Sequence, residues 1–328
     1  MERRGSRMRW ALRMAALLAV AGLGATLAFG YLGRLHPAFD SFSHLRLHLA
    51  GLLVVAVPVL IVLRLRIAAL LALIIGVAVP LQTLSPPGTA QGVAGAGATY
   101  RLVHLNLRYD NATPQAVLSM IGAARADVLA LTEVSDFWRD WLALTGAAYP
   151  YRLICEPPTP IGGVAILSRR PFAEGGEPTC GNAGAFVRAP VDFGGRTVEI
   201  AALHMGWPWP FEHPWQLRML EPLMAEIGAD AIITGDLNAV PWSHAARRLA
   251  TAANASILGG IGPTWLDRRL PGALTRWIGL PIDNVMTKGN VAIRSHGTLA
   301  DVGSDHLPVV VEFSVVAEEK EMGIVSRE

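Results

Sequence analysis

Three long stretches without a charged side chain open this chain, and they constrain its fold more than anything after them. Residues 14–33 run for 20 positions between Arg13 and Arg34, residues 47–63 for 17 between Arg46 and Arg64, and residues 67–84 for 18 after Arg66. Crossing a bilayer takes about 20 apolar residues, with a range near 17–25. The first run fits and the other two meet the lower end, so residues 1–84 are read as an anchor of three transmembrane helices. A re-entrant or buried hairpin is the alternative for the second and third runs, and a cleaved signal peptide for the first. The length of the first run and the lack of a small-residue cleavage site weaken the signal-peptide reading.

The rest of the chain is different. Overall, 52% of residues are hydrophobic and 16% charged, and mean hydropathy is +0.38. That is too apolar for an ordinary soluble domain and fits membrane segments joined to a globular part. The first 96 residues hold nine of the 28 basic residues and two of the 26 acidic ones, leaving 19 against 24 in the remainder. The globular part is therefore mildly acidic, which weakens the case for non-specific duplex-DNA binding.

Positive charge also orients the anchor. "MERRGSRMRWALR" is dense in Arg, and "RLR" at 64–66 forms the next tight turn on that side. Cytoplasmic loops carry such excess. The chain is thus expected to be a multi-pass protein of the inner (cell) membrane, with everything after about residue 85 on the periplasmic side. The loop 34–46 carries two Arg of its own, which reduces the bias. In an oxidising compartment Cys155 and Cys180 would pair; two separate buried thiols remain the alternative.

"SPPGTAQGVAGAGA" at 85–98 has almost nothing large and reads as a flexible linker. A domain over 99–328 follows. "TYRLVHLNL" alternates like a strand, and Thr113-Pro114 opens a helix to about Arg125. "DVLALTEV" is a strand and "FWRDWLAL" a helix. "GGVAILSR", "AFVRAPVDF" and "RTVEIAALHM" are strands, the last two joined at Gly194-Gly195 as a hairpin. "HPWQLRMLEPLMAEIG" is a helix, "DAIITGDLN" a strand, and a further helix starts near Ser243. "IDNVMT", "VAIRSHGT" and "LPVVVEFSVV" complete the strands. Hairpins mixed with strand–helix–strand units predict an α+β fold: two packed mixed sheets with outer helices, a four-layer α/β/β/α sandwich.

Several apolar runs finish on a polar group: Asn106, Glu133, His204, Asp236 with Asn238, and Asp283. "GSDHLP" adds Asp305 and His306 before the last strand. Any one of these is more often a cap or turn former. Together they gather carboxylates, amides and imidazoles at strand ends, where burial is costly unless charges are paired or ligate a metal. Asp236 and Asn238 are two apart and so can address one ligand together.

"LTEV", "GDLNAVP" and "GSDHLP", in this order, resemble the endonuclease/exonuclease/phosphatase superfamily over about residues 100–313, and the apolar front resembles its membrane-anchored bacterial branch. The resemblance implies a hydrolase of phosphate esters with a divalent cation, magnesium or alternatively manganese. It implies Glu133 as the main ligand, with Asn106 and Asp305 completing or approaching the shell. Asp283 would orient His306. Asp236 and Asn238 would hold and activate water, and His204 would contact a phosphate oxygen. Which of Asp236 and His306 is the base stays open. Thr132 and Asn284 depart from the usual family residues, and no catalytic tyrosine of the abasic-site nucleases is matched. Phosphodiesters are the favoured substrates, as a phospholipid headgroup or a nucleic acid, with the bilayer as the other partner; no obligate protein partner is called for. "GWPWPFEHPW" supplies aromatics beside the site, and Arg169, Arg170 and Arg188 are candidate phosphate contacts. The other reading is a non-catalytic membrane-anchored binding protein that retains a hydrolase-like domain.

Overall fold

Alternation in the first strand decides what lies between the sheets. In β1 (Tyr100–Asn106), Leu102, His104 and Asn106 face one way while Val103 and Leu105 face the other, as the two-residue period of a strand requires. The computed structural model describes residues 2–84, 97–156 and 159–316. Four helices precede β1: α1 (Glu2–Phe29), α2 (Pro37–Ser43), α3 (Arg46–Val62) and α4 (Arg66–Leu84). After β1 come α5 (Pro114–Ala124), β2 (Val128–Val134), α6 (Asp136–Ala143), β3 (Tyr151–Ile154), β4 (Gly163–Ser168), β5 (Thr179–Gly181), β6 (Phe186–Asp192) and β7 (Thr197–His204). Then follow α7 (His213–Ala225), β8 (Ala231–Asp236), α8 (His244–Ala253), β9 (Ser256–Ile257), α9 (Gly272–Ile278), β10 (Asp283–Lys288), β11 (Val291–Thr298) and β12 (Val309–Val315).

The strands form two six-stranded sheets, ordered β11-β12-β1-β2-β4-β3 and β5-β6-β7-β8-β10-β9. Each sheet has one parallel pair near its centre, β1 with β2 and β7 with β8, and all its other pairings are antiparallel. A parallel pair needs a crossover, and α5 and α7 supply it. Leu102, Val128 and Ile166 meet Val187, Ile200, Ile232 and Val285 between the sheets. Val117, Ile121, Trp138 and Leu142 of α5 and α6 cover the outside of the first sheet, and Leu217, Leu220 and Leu249 of α7 and α8 cover the second. The result is the four-layer sandwich expected from the sequence. The short β3, β5, β9 and α9 were not expected; they are too brief for any periodicity.

The anchor differs in detail from the three charge-free runs. α1 begins at Glu2 and ends at Phe29, because Arg is a good helix former and does not stop the helix before residue 14. Among the described residues two helices, α1 and α4, are long and apolar enough to cross a membrane, and α2 with α3, bent by 57° to each other, make a third candidate if they act as one span. α3 and α4 pack through Gly76, where a Cβ would lie 2.6 Å from Val54 and 2.9 Å from the Ala50 carbonyl. Small residues permit such close approach. The 85–98 linker falls, apart from Gly97 and Ala98, outside the described residues, as does the tail after Val316.

Two clusters of contacts set how the anchor sits. Arg13 Nε donates to the Leu63 carbonyl at 2.9 Å, which places the Arg-rich start of α1 beside the 64–66 turn. At the other end, the loop holding α2 lies on the sandwich. Asp40 accepts from the His244 and Ala245 N–H groups at 2.6 and 2.9 Å and so caps α8 beside Ser243, which accepts from Ala246 N. Trp242 Nε1 donates to the Ser43 carbonyl at 2.8 Å.

Cys155 and Cys180 form a disulfide. It joins the residue after β3 to β5, the edge strands of the two different sheets. Closing this loop restricts the unfolded chain. Replacing both cysteines by serine is expected to cost about 3 kcal/mol, read as a lower urea midpoint for the full chain, with reductant producing the same shift in the native protein.

Candidate active site at the strand-end rim

Register brings the polar strand ends together. Parallel pairing sets His204 of β7 beside Asp236 of β8, and antiparallel pairing sets Asp236 beside Asp283 of β10. These three residues form a row across the rim of the second sheet. Asp283 opens its strand instead of closing it, a correction to the reading of its run as one that finishes on a polar group; because β10 is antiparallel, its start shares the rim. Gly235 makes the row possible, since a Cβ there would lie 1.9 Å from the Leu203 carbonyl. On the first sheet, Asn106 pairs with Thr132. Glu133 then turns out of the ladder with φ of 55°, where the β2–β4 register shifts. A left-handed non-glycine residue is strained and typical of functional sites. Ser304 hangs the "GSDHLP" loop on β1, donating to the Asn106 carbonyl at 2.7 Å and accepting from His306 N at 3.0 Å.

Asn106 links the two sheets. Its Nδ2 donates to Glu133 Oε1 at 2.9 Å and to Asp236 Oδ2 at 3.0 Å, and its Oδ1 accepts from Arg108 N at 2.9 Å. The amide therefore aligns two carboxylates and turns its oxygen away from them. Tyr109 N donates to Glu133 Oε2 at 2.9 Å. Asn238 N donates to Asp236 Oδ1 at 2.8 Å, while Asn238 Nδ2 donates to the Met205 carbonyl at 2.7 Å. His204 Nε2 stands 3.7 Å from Asp236 Oδ2 and 3.9 Å from Glu133 Oε1.

Asp283 is buried between two imidazoles. His306 Nδ1 lies 2.7 Å from Oδ2, and His104 Nε2 2.9 Å from Oδ1. His306 Nε2 is then 3.6 Å from Asp236 Oδ2. His104 was missed in the sequence. The available signal was its place two residues before Asn106, on the same face of β1. Asp305 lines the cleft beside His306. Arg170 pairs with Asp127, Arg188 with Glu199 and Glu226, and Arg169 reaches the Arg125 carbonyl, so none of the three lines the cleft.

Charge follows from this packing. Burial pushes the Asp236 carboxyl above its usual range, and His306, His204 and the Asn238 N–H only partly offset it. Burial acts the same way on Asp283, but His306 and His104 outweigh it and hold that carboxyl well below the usual range. For His306, burial disfavours the imidazolium, yet Asp283 and Asp236 prevail and raise it to about 10.

The donor set fits a hard divalent cation. Ligand atoms of Asp236, Asp283 and His306 lie within 4.8 Å of one another, but both Asp283 oxygens are already engaged by imidazoles. Glu133, Asp236 and Asp305, with Glu212 further along the wall, are the carboxylates lining the cleft, and oxygen ligands suit magnesium or manganese. The cleft encloses about 280 Å³, with Gly162, Trp207, Trp215, Gln216 and Trp265 among its walls.

Carboxylates, imidazoles and an orienting amide at the shared rim of two packed sheets define a class, the hydrolases of phosphoric esters. The sequence profile of the Endonuclease/Exonuclease/phosphatase family matches residues 103–306, well over half of the chain, and the chain belongs to that family. No curated protein matches it in sequence. Solved structures share the fold. An endonuclease/exonuclease/phosphatase from Bacteroides vulgatus superposes with a TM-score of 0.55 at 16% identity, over 67% of this chain and 100% of that one. TDP2 of D. rerio, complexed with a single-strand DNA product, gives 0.53 at 16%, over 66% and 99%. An AP endonuclease from Archaeoglobus fulgidus gives 0.53 at 17%, over 65% and 98%.

The His306–Asp283 pair has a pH signature. An unfolded histidine titrates near 6.5. With the folded value raised to about 10, its stabilisation is complete below pH ~6.5 and is lost as pH rises toward ~10. Unfolding free energies of the protein in EDTA are expected to fall across that window, and His306→Asn to flatten the decline.

Proposed function

We propose that this chain is a membrane-anchored, divalent-metal-dependent phosphodiester hydrolase whose cleft opens on the periplasmic side. One observation carries the reading. The Asn106 amide holds Glu133 and Asp236 from opposite sheets at 2.9 and 3.0 Å, beside a His306 that Asp283 keeps cationic.

Roles follow from charge. Asp236, aligned by the Asn106 amide and the Asn238 N–H, accepts the proton of the attacking water. His306 already carries its proton at neutral pH, so it serves as the fixed positive charge and not as the base. It and His204 flank Asp236 and donate to phosphoryl oxygens as their charge grows. Asp283 and His104 hold the His306 ring. Glu133 and Asp305 would hold the magnesium or manganese ion, which supplies Lewis-acid polarisation and charge neutralisation. Asn106 orients Glu133 toward that task and keeps it apart from Asp236.

A phospholipid headgroup is the substrate this geometry favours. Trp207 and Trp215 stand exposed on the cleft wall. Trp209, four residues before the start of α7, packs edge-on against His36 of the anchor at 6.0 Å. The aromatic loop thus joins the cleft to the membrane end of the molecule, and exposed Trp suits a bilayer interface. A nucleic-acid substrate is the second reading, supported by the structural likeness to TDP2 bound to single-strand DNA product. The periplasmic placement is supported by the Arg-rich start of α1 and the 64–66 turn lying at the end of the anchor away from the sandwich.

Purified protein is expected to hydrolyse bis(p-nitrophenyl) phosphate with magnesium or manganese and to stop in EDTA. Asp236→Asn and His306→Gln should each lower kcat by about 10²–10⁴-fold. Activity that survives EDTA, or either substitution, would overturn the assignment. A panel of phospholipids, single-strand DNA, RNA and inositol phosphates decides the substrate. A reporter fused after Glu328 that is active only in the cytoplasm would reverse the orientation.

A further inference from the structure

A second cavity, of about 960 Å³, lies between the outer ends of the anchor helices and the sandwich. Tyr31, Arg46, Gln82 and Thr83 wall it from the anchor, and Trp242 and Arg247 from the sandwich. Tyr31 follows the end of α1, Arg46 starts α3, and Gln82 and Thr83 close α4. These three helix ends mark the headgroup level of a bilayer that the anchor would cross. Tyr31 and Trp242 are residues enriched at that level.

Arg46 is the unusual member. It is 4% exposed. Its Nη2 donates to the Gly30 carbonyl at 2.9 Å, and the Tyr31 ring covers one face at 3.9 Å. Its Nε has no partner among the described residues, and neither does the buried Thr83 hydroxyl. No described carboxylate forms an ion pair with it. The nearby Asp40 spends both oxygens on the start of α8. A buried cation without an anion is costly. Arg247, exposed on α8, faces the same cavity, and among the described residues it has no side-chain partner and no acidic residue lines the cavity. Residues 85–96, which follow Leu84 at its wall, contain no acid.

We propose that this cavity binds the phosphate of an anionic glycerophospholipid headgroup. Arg46 and Arg247 hold the phosphate from the anchor and sandwich sides, the Thr83 hydroxyl and Gln82 take further headgroup oxygens, and the acyl chains run down past Leu81 and Leu84, which are exposed on α4. A fork of guanidinium donors matches phosphate oxygens. The bound lipid would bridge the two parts of the molecule and set the height of the catalytic cleft above the bilayer. This site is separate from the cleft and does not depend on what the cleft hydrolyses.

Native mass spectrometry of the full chain in detergent, with EDTA to prevent turnover, tests this directly. Phosphatidylglycerol and phosphatidylcholine are added at equal concentration. One phosphatidylglycerol is expected to be retained in preference to phosphatidylcholine. Arg247→Gln, at an exposed position, should weaken that retention about fivefold, and adding Arg46→Gln about fivefold again. Hydrolysis of bis(p-nitrophenyl) phosphate by Arg247→Gln should be unchanged, which shows that the variant is folded. Equal retention of both lipids, or retention indifferent to Arg247→Gln, overturns the proposal. So does displacement by an equal concentration of glycerol phosphate, which would mark a small-anion site. If phosphatidylglycerol binds only once the acidic residues of 317–328 are deleted, that tail is the occupant and the lipid proposal fails.

Discussion

A carboxylate buried between two sheets organises this molecule. Asp283 lies where no water can solvate it, and only the imidazoles of His104 and His306 make its charge tolerable. Removing either partner from such a group leaves an uncompensated charge, which is far worse than never burying it. His104 belongs to the first sheet and Asp283 to the second, so the pair also fixes how the sheets face each other. Asp283 and Asp236 favour the imidazolium of His306, and the proposed division of labour at the rim rests on that charge. In the proposed mechanism Asp236 takes protons while His306 stabilises anions.

The rest of the rim depends on topology. Each sheet carries one parallel pair, and both pairs finish at the same edge. Parallel register aligns His204 with Asp236, and antiparallel register adds Asp283 from the start of β10. Asn106 closes the gap between sheets with one amide group. Strain accumulates here as well. Glu133 and Asn238, both left-handed without being glycine, sit beside the carboxylates they serve. The surrounding hydrogen bonds to Tyr109 N and Met205 O hold those backbones in place.

The anchor is joined to the catalytic part by more than a linker. Asp40 caps α8, Trp242 reaches the Ser43 carbonyl, and His44 Nε2 lies 3.1 Å from the carbonyl of Asn238 itself. The loop between the first two apolar runs therefore touches the segment that carries Asp236 and Asn238. Such contacts restrict how the cleft can tilt against the apolar helices, and they place the aromatic loop at 207–215 on the side of those helices.

Much of this was legible before any coordinates. The long elements followed from periodicity, because burial on one face imposes a period of two on strands and near 3.6 on helices. Asn106, Glu133 and Asp236 stood out because polar groups at the ends of apolar runs are costly, Asp283 because it borders such a run, and His306 through the "GSDHLP" segment before the last strand. The short β3, β5, β9 and α9 were invisible, since two to seven residues carry no period. His104 was hidden for a different reason. Within an apolar strand it reads as a core histidine, and nothing local reveals a carboxylate 179 positions away. The sequence by itself determined which segments are apolar, where they turn and which residue types stand at their ends, because these are local consequences of side-chain chemistry. Only the tertiary structure decided who meets whom: that Asn106 presents its amide hydrogens to the carboxylates, that Asp283 is shared by two histidines, and that Arg46 is enclosed with no ion-pair partner among the described residues. Those facts arise from register and packing between segments far apart in the chain, where partners are chosen by geometry that no local pattern encodes.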